Sequence, residues 1–380
     1  MSSRADADYT WLRTGEEAFA AMLEAIDKAR ESVRLEMYIF RADPVGEQFR
    51  QALVGARQRG LKVWVLIDAL GSYPLADSFW KVFRASGGQF RRFNPIIPHR
   101  FSIRDHRKIL VCDQAVAFIG GFNLASAYRG DGVKSGWRDL GLKVGGKLAR
   151  ELAAAFDDMF ECAAFRHRPF TRLRKSIRQK TVTAPEAKLL LGGPSRNNPI
   201  KRALRADLKE ALQVQIMSPY FLPPWRIRRQ LLQAAARPGA KVQIIVPGRS
   251  DVPLTQLAAQ SFYRRLLLGG VEIYEYQPQI LHAKLFVIDS VVYVGSTNLD
   301  SRSLSINYEL MVRLTNPKRE QEGREIFQEA LGHCRRVDLA DWRKSRSLWD
   351  RIKARLAYLL LARVDPFIAD QQWRRLGFKK

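Results

Sequence analysis

Cysteine is scarce in this chain: Cys112, Cys162 and Cys334 are the three among 380 residues. An odd count without CxxC or CxxH spacing argues against a disulfide framework and a structural zinc site, and a reducing cytoplasmic setting fits best. Long apolar runs are missing too. A bilayer span needs roughly 20 apolar residues, and the longest candidate, Ala357 to Val364, is interrupted by Arg363. The opening MSSRADADYTWLRTGEE has no apolar core segment, so it does not read as a signal peptide. Any membrane contact is therefore expected to be peripheral. Acidic residues are few, 38 against 64 Lys and Arg, which leaves a net charge of +26. Such an excess points to a polyanionic partner, either nucleic acid or an anionic membrane face. A generally basic, well-solvated surface accounts for the same number until the charge is mapped. Histidine is rare as well, with five in all.

What is present is organised as a repeat. In the first copy Thr14-Gly-Glu-Glu17 has the form of a capping box before the helical face Phe19, Met22, Leu23 and Ile26. Strand SVRLEMYIF (32–40), a helix ending at Gly60, strand LKVWVLID (61–68), a helix ending at Gly87-Gly88 and RDHRKILVCD follow. The second copy runs through a basic helix (201–212), VQIMSPYF (214–221), a helix (226–235), AKVQIIVPG (240–248), SFYRRLLLGG (261–270), VEIYEY and LHAKLFVID. A duplication of this length is an architectural signal, and strands alternating with helices predict α/β layers with a sheet in each half.

The same chemistry-bearing residues recur at one place in each copy. The first reads His106-Arg-Lys108 to Asp113, then FIGGFN to Asn123; the second reads His282-Ala-Lys284 to Asp289, then YVGSTN to Asn298. The apolar run after each Lys predicts strands. A period of two then puts His and Lys on one face. Asp113 and Asp289, seven positions past each His, would point the other way, and structural work is expected of them. The Gly120-Gly121 and Gly295-Ser296 pairs permit tight turns and close backbone approach. A lone strand histidine is usually a packed core or surface residue. Two of five histidines recurring with the same Lys, Asp and Asn neighbours is a different matter. His99, His167 and His333 have no counterparts and are expected to be unremarkable.

This set suits a phosphodiester. Stabilising charge on the phosphoryl oxygens supplies most of the catalysis in phosphoryl transfer, and Lys108, Lys284, Asn123 and Asn298 could cradle those oxygens. One imidazole can attack phosphorus while the other protonates the leaving alkoxide. Metal ligation by the paired histidines is disfavoured, because no Cys/His/carboxylate cluster has suitable spacing and the lysines would repel a cation. Neither a metal nor another cofactor is expected.

The doubled HxKxxxxD followed by G(G/S)xN resembles the phospholipase D superfamily, from about Thr14 to Thr315. LEMYIF (35–40), GGFNLA (120–125), WRDLGLKVGG (137–146), SPYFLPP (218–224), GSTNLDSRS (295–303) and SINYEL (305–310) are most similar to the bacterial cardiolipin synthases. The resemblance implies two tandem α/β/α lobes sharing one active site at their interface, and a ping-pong reaction through a phosphatidyl-histidine. By position it implies His106 as nucleophile, His282 as acid/base, and Asp139 and Glu309 as the acids that orient the imidazoles. It further implies transphosphatidylation, two phosphatidylglycerols giving cardiolipin plus glycerol, with phosphatidylethanolamine as another possible lipid substrate. Unlike the better-known members, the chain shows no N-terminal transmembrane segment.

The expected organisation is a first repeat over 1–165, a basic linker over 166–185 containing RHRPFTRLRKSIRQK, a second repeat over 186–333 and a basic amphipathic region over 334–380. In that last region Leu348, Trp349, Ile352, Leu356, Leu359 and Leu360 fall at helical spacing among Arg346, Arg351, Lys353 and Arg355. Such a helix serves equally as an interfacial anchor at the cytoplasmic side of the cell membrane or as a terminal helix packed on the core. Three alternatives stay open: phospholipase D hydrolysis or exchange with another alcohol such as glycerol, a metal-independent nuclease, and a non-enzymatic binding protein. Nucleic acid is the less expected partner, since no aromatic-interleaved basic groove is evident. The sequence does not indicate an oligomeric state.

Overall fold

A computed structural model describes residues 9–95, 103–163, 179–195 and 197–361. The first half contains β1 (Tyr9–Leu12), α1 (Gly15–Lys28), β2 (Ser32–Met37), α2 (Pro44–Gln58), β3 (Lys62–Asp68), α3 (Lys81–Ala85), β4 (Gln89–Phe93), β5 (Ile109–Cys112), β6 (Val116–Gly120), β7 (Gly141–Gly145) and α4 (Gly146–Ala163). Local chemistry sets the boundaries. The Thr14 hydroxyl accepts from Glu17 N–H at the start of α1, Asp43 does the same for Gly46 on α2, and Gly60 leaves α2 at φ 89°, where a Cβ would be strained.

The second half contains β8 (Lys180–Ala184), β9 (Ala187–Gly192), α5 (Pro199–Asp207), β10 (Gln213–Met217), β11 (Phe221–Leu222), α6 (Trp225–Ala235), β12 (Lys241–Pro247), α7 (Pro253–Leu268), β13 (Glu272–Tyr276), β14 (Leu285–Ile288), β15 (Val291–Gly295), β16 (Leu299–Asp300) and β17 (Glu309–Leu314). After these come α8 (Pro317–Leu331), β18 (Cys334–Arg336), α9 (Leu339–Lys344) and α10 (Leu348–Leu359).

Among the described residues one sheet runs β1-β7-β6-β5-β2-β3-β4 and another β18-β13-β12-β10-β14-β15-β17-β9-β8. Laid side by side, β7-β6-β5-β2-β3-β4 and β17-β15-β14-β10-β12-β13 are the same order, with the same parallel pairs (β2 with β3, β10 with β12) and the same antiparallel ones (β2 with β5, β10 with β14). The repeat in the sequence is thus a repeat of topology. On one face of the first sheet, Phe19, Ile26, Phe49 and Leu53 of α1 and α2 pack on Val33, Leu35, Val63 and Val65. The other faces of the two sheets share a core. Ile109, Val111, Leu142 and Leu152 of the first half meet Leu189, Leu285, Val294, Leu310 and Phe327 of the second. Burial of a Leu or Ile side chain contributes about 1.5–3 kcal/mol, so a continuous core across the halves locks the lobes together.

Two segments join the second sheet from outside the expected second repeat. KTVTA alternates exposed and buried, with Val182 and Ala184 inside, and forms edge strand β8 although it falls in the expected linker. Cys334–Arg336 pairs antiparallel with β13 as strand β18. Most of the basic stretch 166–180 lies outside the described residues, as do His99 and His167. His333 packs edge-on against Tyr276.

Candidate active site

The two His-x-Lys motifs stand just ahead of β5 and β14, not within them. The backbone explains the departure from the expected strand. His106 N–H donates across the lobes to the Tyr308 carbonyl at 2.9 Å, and His282 N–H donates to the Arg138 carbonyl at 2.7 Å. Single parallel bridges, Asp105 with Tyr308 and Arg138 with Leu281, mark the same crossings. Each motif has left its own sheet to pair with the residue preceding the other lobe's carboxylate. The chain remains extended there, so alternation survives. Arg107 points away to Glu36, with Nε 2.6 Å from Oε1, while Lys108 turns back and donates to the His106 carbonyl at 2.7 Å.

The side chains repeat the crossing. His106 Nδ1 lies 3.1 Å from Glu309 of the second lobe, and His282 Nδ1 lies 2.6 Å from Asp139 Oδ2 of the first. An ionised carboxylate only accepts, so in that state Nδ1 carries the hydrogen and a neutral ring keeps its lone pair on Nε2. Both imidazoles and both carboxylates are buried. The carboxylates are held differently. A Cβ on Gly121 would come within 2.0 Å of Asp139 Oδ1, so the short acid needs a glycine beneath it. At the matching position Ser296 donates its hydroxyl to the longer Glu309.

Both histidines and both asparagines line one cavity of about 250 Å³. Asn123 Oδ1 accepts from Ile39 N–H at 3.0 Å, and its amide donates to Tyr128 Oη at 2.7 Å. Asn298 Oδ1 and Asn307 Oδ1 are buried without a hydrogen-bond partner among the described residues. Unmet polar atoms in a cavity mark places for a polar ligand. The lysines sit behind the imidazoles and do not line the cavity. Lys284 Nζ is within 3.1 Å of both His282 ring nitrogens.

Burial and mutual repulsion reshape the titrations. Burial first, then the Lys108 and Lys284 charges, holds His106 well below its usual 6.5. His282 is lowered by burial and Lys284, against the opposing pull of Asp139. Lys108 is pulled down to about 7 by burial and Lys284, and Lys284 to about 8 by burial. Glu309 is raised to about 7 by burial. A cluster of imidazoles and lysines whose positive charge is disfavoured by burial and mutual repulsion gains from a neighbouring anion.

Asp113 and Asp289 occupy the turns after β5 and β14 with φ 53° and 48°. They lie away from the imidazoles because the strand has ended, and alternation along a continuing strand is not the cause. Asp113 accepts from the N–H groups of Arg30, Glu31 and Ser32 at 2.8–2.9 Å. Asp289 accepts from Leu212 and Gln213 at 3.0 and 2.8 Å. Each carboxylate secures the start of the neighbouring central strand.

Several groups at the site were not foreseen. The Tyr38 ring meets the His106 ring at 4.7 Å, and Lys108 Nζ lies 5.2 Å from the centre of Tyr38. Tyr128 packs edge-on to His282 with its hydroxyl 3.5 Å from Nε2. Tyr220 donates to Asp251 at 2.7 Å on the cavity wall. Tyr38 lies inside LEMYIF, where an aromatic reads as strand core. Among the described residues no group of three or more His, Cys, Asp and Glu is arranged to hold a metal ion.

The chain matches the family model described as cardiolipin synthase, phospholipase D-like domain, over residues 22–159 and again over 204–331. The chain belongs to this family. Cardiolipin synthase 1 of Bacillus cereus is 31% identical over 355 residues, which cover 90% of this chain and 69% of the relative. Cardiolipin synthase B of Escherichia coli K12 is 32% identical over 362 residues, covering 92% and 86%. Among solved structures, phosphatidylserine synthase of Haemophilus influenzae superposes with a TM-score of 0.74 over 95% of this chain and 94% of its own, at 16% identity. Polyphosphate kinase of Porphyromonas gingivalis reaches 0.61 over 89% of this chain and 49% of its own, at 14% identity. These two likenesses concern the fold: a pair of phospholipase D-like α/β lobes, here with the two half-sites facing one cavity.

Proposed function

We propose that the protein is a cardiolipin synthase, a phosphatidyltransferase that moves a phosphatidyl group from one phosphatidylglycerol to the headgroup hydroxyl of another. The observation that carries this reading is the pair of imidazoles on one cavity, each backed by the opposite lobe's carboxylate. Family membership supports the choice of lipid substrates.

His106 Nε2 attacks phosphorus, forming a phosphorus–nitrogen bond as the bond to the glycerol oxygen breaks. His282 gives its proton to that oxygen and glycerol leaves. His282 then takes the proton of the acceptor hydroxyl, whose oxygen displaces the His106 nitrogen from phosphorus and yields cardiolipin. A bound phosphodiester anion favours the charged forms of His282, Lys108 and Lys284 that burial disfavours. The two lysine charges and the Asn123 and Asn298 amides then stabilise the phosphoryl oxygens. Glu309 and Asp139 hold the ring tautomers. The chain acts at the cytoplasmic face of the membrane as a peripheral protein, a reading supported by its free cysteines Cys112, Cys162 and Cys334.

The test is incubation of purified protein with phosphatidylglycerol vesicles, followed by mass spectrometry of the lipids. Cardiolipin and free glycerol are expected, with neither formed by His106→Ala or His282→Ala. Phosphatidic acid as the main product would replace transfer by hydrolysis. Phosphatidylglycerol formed from phosphatidylethanolamine and glycerol would identify a different donor. Cleavage of single-stranded DNA with lipids untouched would overturn the lipid reading.

A further inference from the structure

Helix α10 resolves into three sectors. At 100° per residue, Leu348, Trp349, Ile352, Leu356, Leu359 and Leu360 fall within one sector of about 120°. These side chains are between 37% and 71% exposed. Ala354, Ala357 and Tyr358 face roughly the opposite way, the two alanines being buried. Tyr358 meets Phe262 of α7 edge-on at 4.8 Å. The helix therefore packs on the protein through its small residues and turns its large apolar ones outward. Arg351 and Arg355 flank the stripe on one side and Lys353 on the other. Beside the first flank runs a groove of about 260 Å³ between α7, α9 and α10, lined by Arg264, Arg343, Arg346, Arg351 and Arg355 and by Asp350, whose carboxylate is engaged by the Ser347 N–H.

The C-terminal end of α10 reaches the catalytic cavity. Leu361, two residues past the end of α10, lines that cavity. Val252, ahead of the first residue of α7, lines it too, and Val252 and Leu254 are 38% and 37% exposed. On the other lobe the exposed Leu70 and Tyr73 lie in a loop whose Ser72 holds the Tyr38 carbonyl and the Phe40 N–H, on either side of the cavity-lining Ile39.

We infer that α10 is a membrane-docking element: its apolar stripe enters the interface of an anionic phospholipid bilayer, its arginine groove takes lipid phosphates, and the cavity mouth is thereby turned to the membrane. The orientation rests on the phospholipid reading of the cavity; the surface itself does not. Charge selects the occupant. Cationic flanks on both sides of an apolar stripe attract an anionic leaflet, whereas a second copy related by two-fold symmetry would bring like charges together.

The test pairs Trp349→Glu/Leu356→Glu with Arg351→Glu/Arg355→Glu in the full chain, with thermal unfolding by circular dichroism as the check on folding. Binding is measured by co-sedimentation with vesicles of phosphatidylglycerol and phosphatidylcholine, and of phosphatidylcholine alone. Both variants are expected to bind the anionic vesicles at least tenfold more weakly and to turn over vesicle lipid correspondingly more slowly. Turnover of a short-chain phosphatidylglycerol, monomeric in solution, should stay within twofold. Unchanged vesicle binding overturns the proposal. So does an equal loss on the soluble substrate, or a lipid-free dimer that the Trp349→Glu/Leu356→Glu pair dissociates. Wild-type vesicle binding that both variants lose, with no lipid turned over by any form, upholds docking and removes the catalytic reading.

Discussion

At the scale of single residues, the site depends on contacts that cross between the lobes. Gly121 lies in the first lobe, yet it governs a histidine of the second, because its missing Cβ makes room for Asp139 beneath His282. Gly121→Ala is expected to displace that carboxylate and lower kcat with lipid by roughly 10²-fold, the lower range for loss of a positioned acid/base. The proposed roles of the two histidines can be separated by the choice of substrate. A p-nitrophenyl phosphodiester has a leaving group that needs no proton. His282→Ala should therefore release one equivalent of p-nitrophenol in a burst and then stall, whereas His106→Ala should release none; the reverse pattern would exchange the roles. The pH profile has a worked sign as well. His106 is held low, so it stays neutral into mildly acidic solution. Lys108, pulled down to about 7, loses its charge as pH rises, so kcat/KM should fall on the alkaline side. Glu309 raises Lys108, so Glu309→Gln should move that alkaline limb to lower pH. An unmoved limb would assign it to another group. The histidines, lysines and asparagines were legible in the sequence because they occur twice. Tyr38 and Tyr128 were not, since an aromatic in an apolar strand context reads as packing.

At the scale of elements, the spacing of the motif was legible but the reason for it was not. Seven residues from His to Asp reads as strand alternation. The structure instead ends the strand at Cys112 and puts Asp113 in a turn at φ 53°. There the carboxylate gathers three backbone N–H groups at the start of β2. Asp113→Ala should cost about 1–3 kcal/mol, discounted from the full value of three charge-assisted bonds because the site is partly solvated. That lowers the melting temperature by roughly 1–4 °C. Asp113→Asn should lose less, because asparagine tolerates this backbone region. A melting temperature unchanged in both variants would sink the structural role. The amphipathic pattern of α10 was visible too, but not which face meets the protein. Hydrophobicity alone would bury Leu356 and Leu359. Close approach to α7 instead selects Ala354 and Ala357, whose small side chains let the helices meet.

At the scale of the molecule, duplication has built one site from two lobes. Sequence comparison of the halves reveals the matching succession of strands and helices, but residues 106 and 309 are distant in the chain and only the packed lobes bring them together. The shared core, the backbone crossings at Tyr308 and Arg138, and the Arg138 to Glu329 ion pair at 3.0 Å all lie within a single chain. A site complete in one chain makes a definite prediction for mixtures. Purified His106→Ala and His282→Ala chains, unfolded together and refolded as an equimolar mixture, should recover under 1% of wild-type activity, since every chain carries one defective half. Were each site assembled between two chains, random pairing would restore about a quarter of the sites, as for any two-fold interface with one intact half on each partner. Wild-type protein taken through the same refolding sets the reference. Recovery near a quarter would relocate the active site from within the chain to between chains.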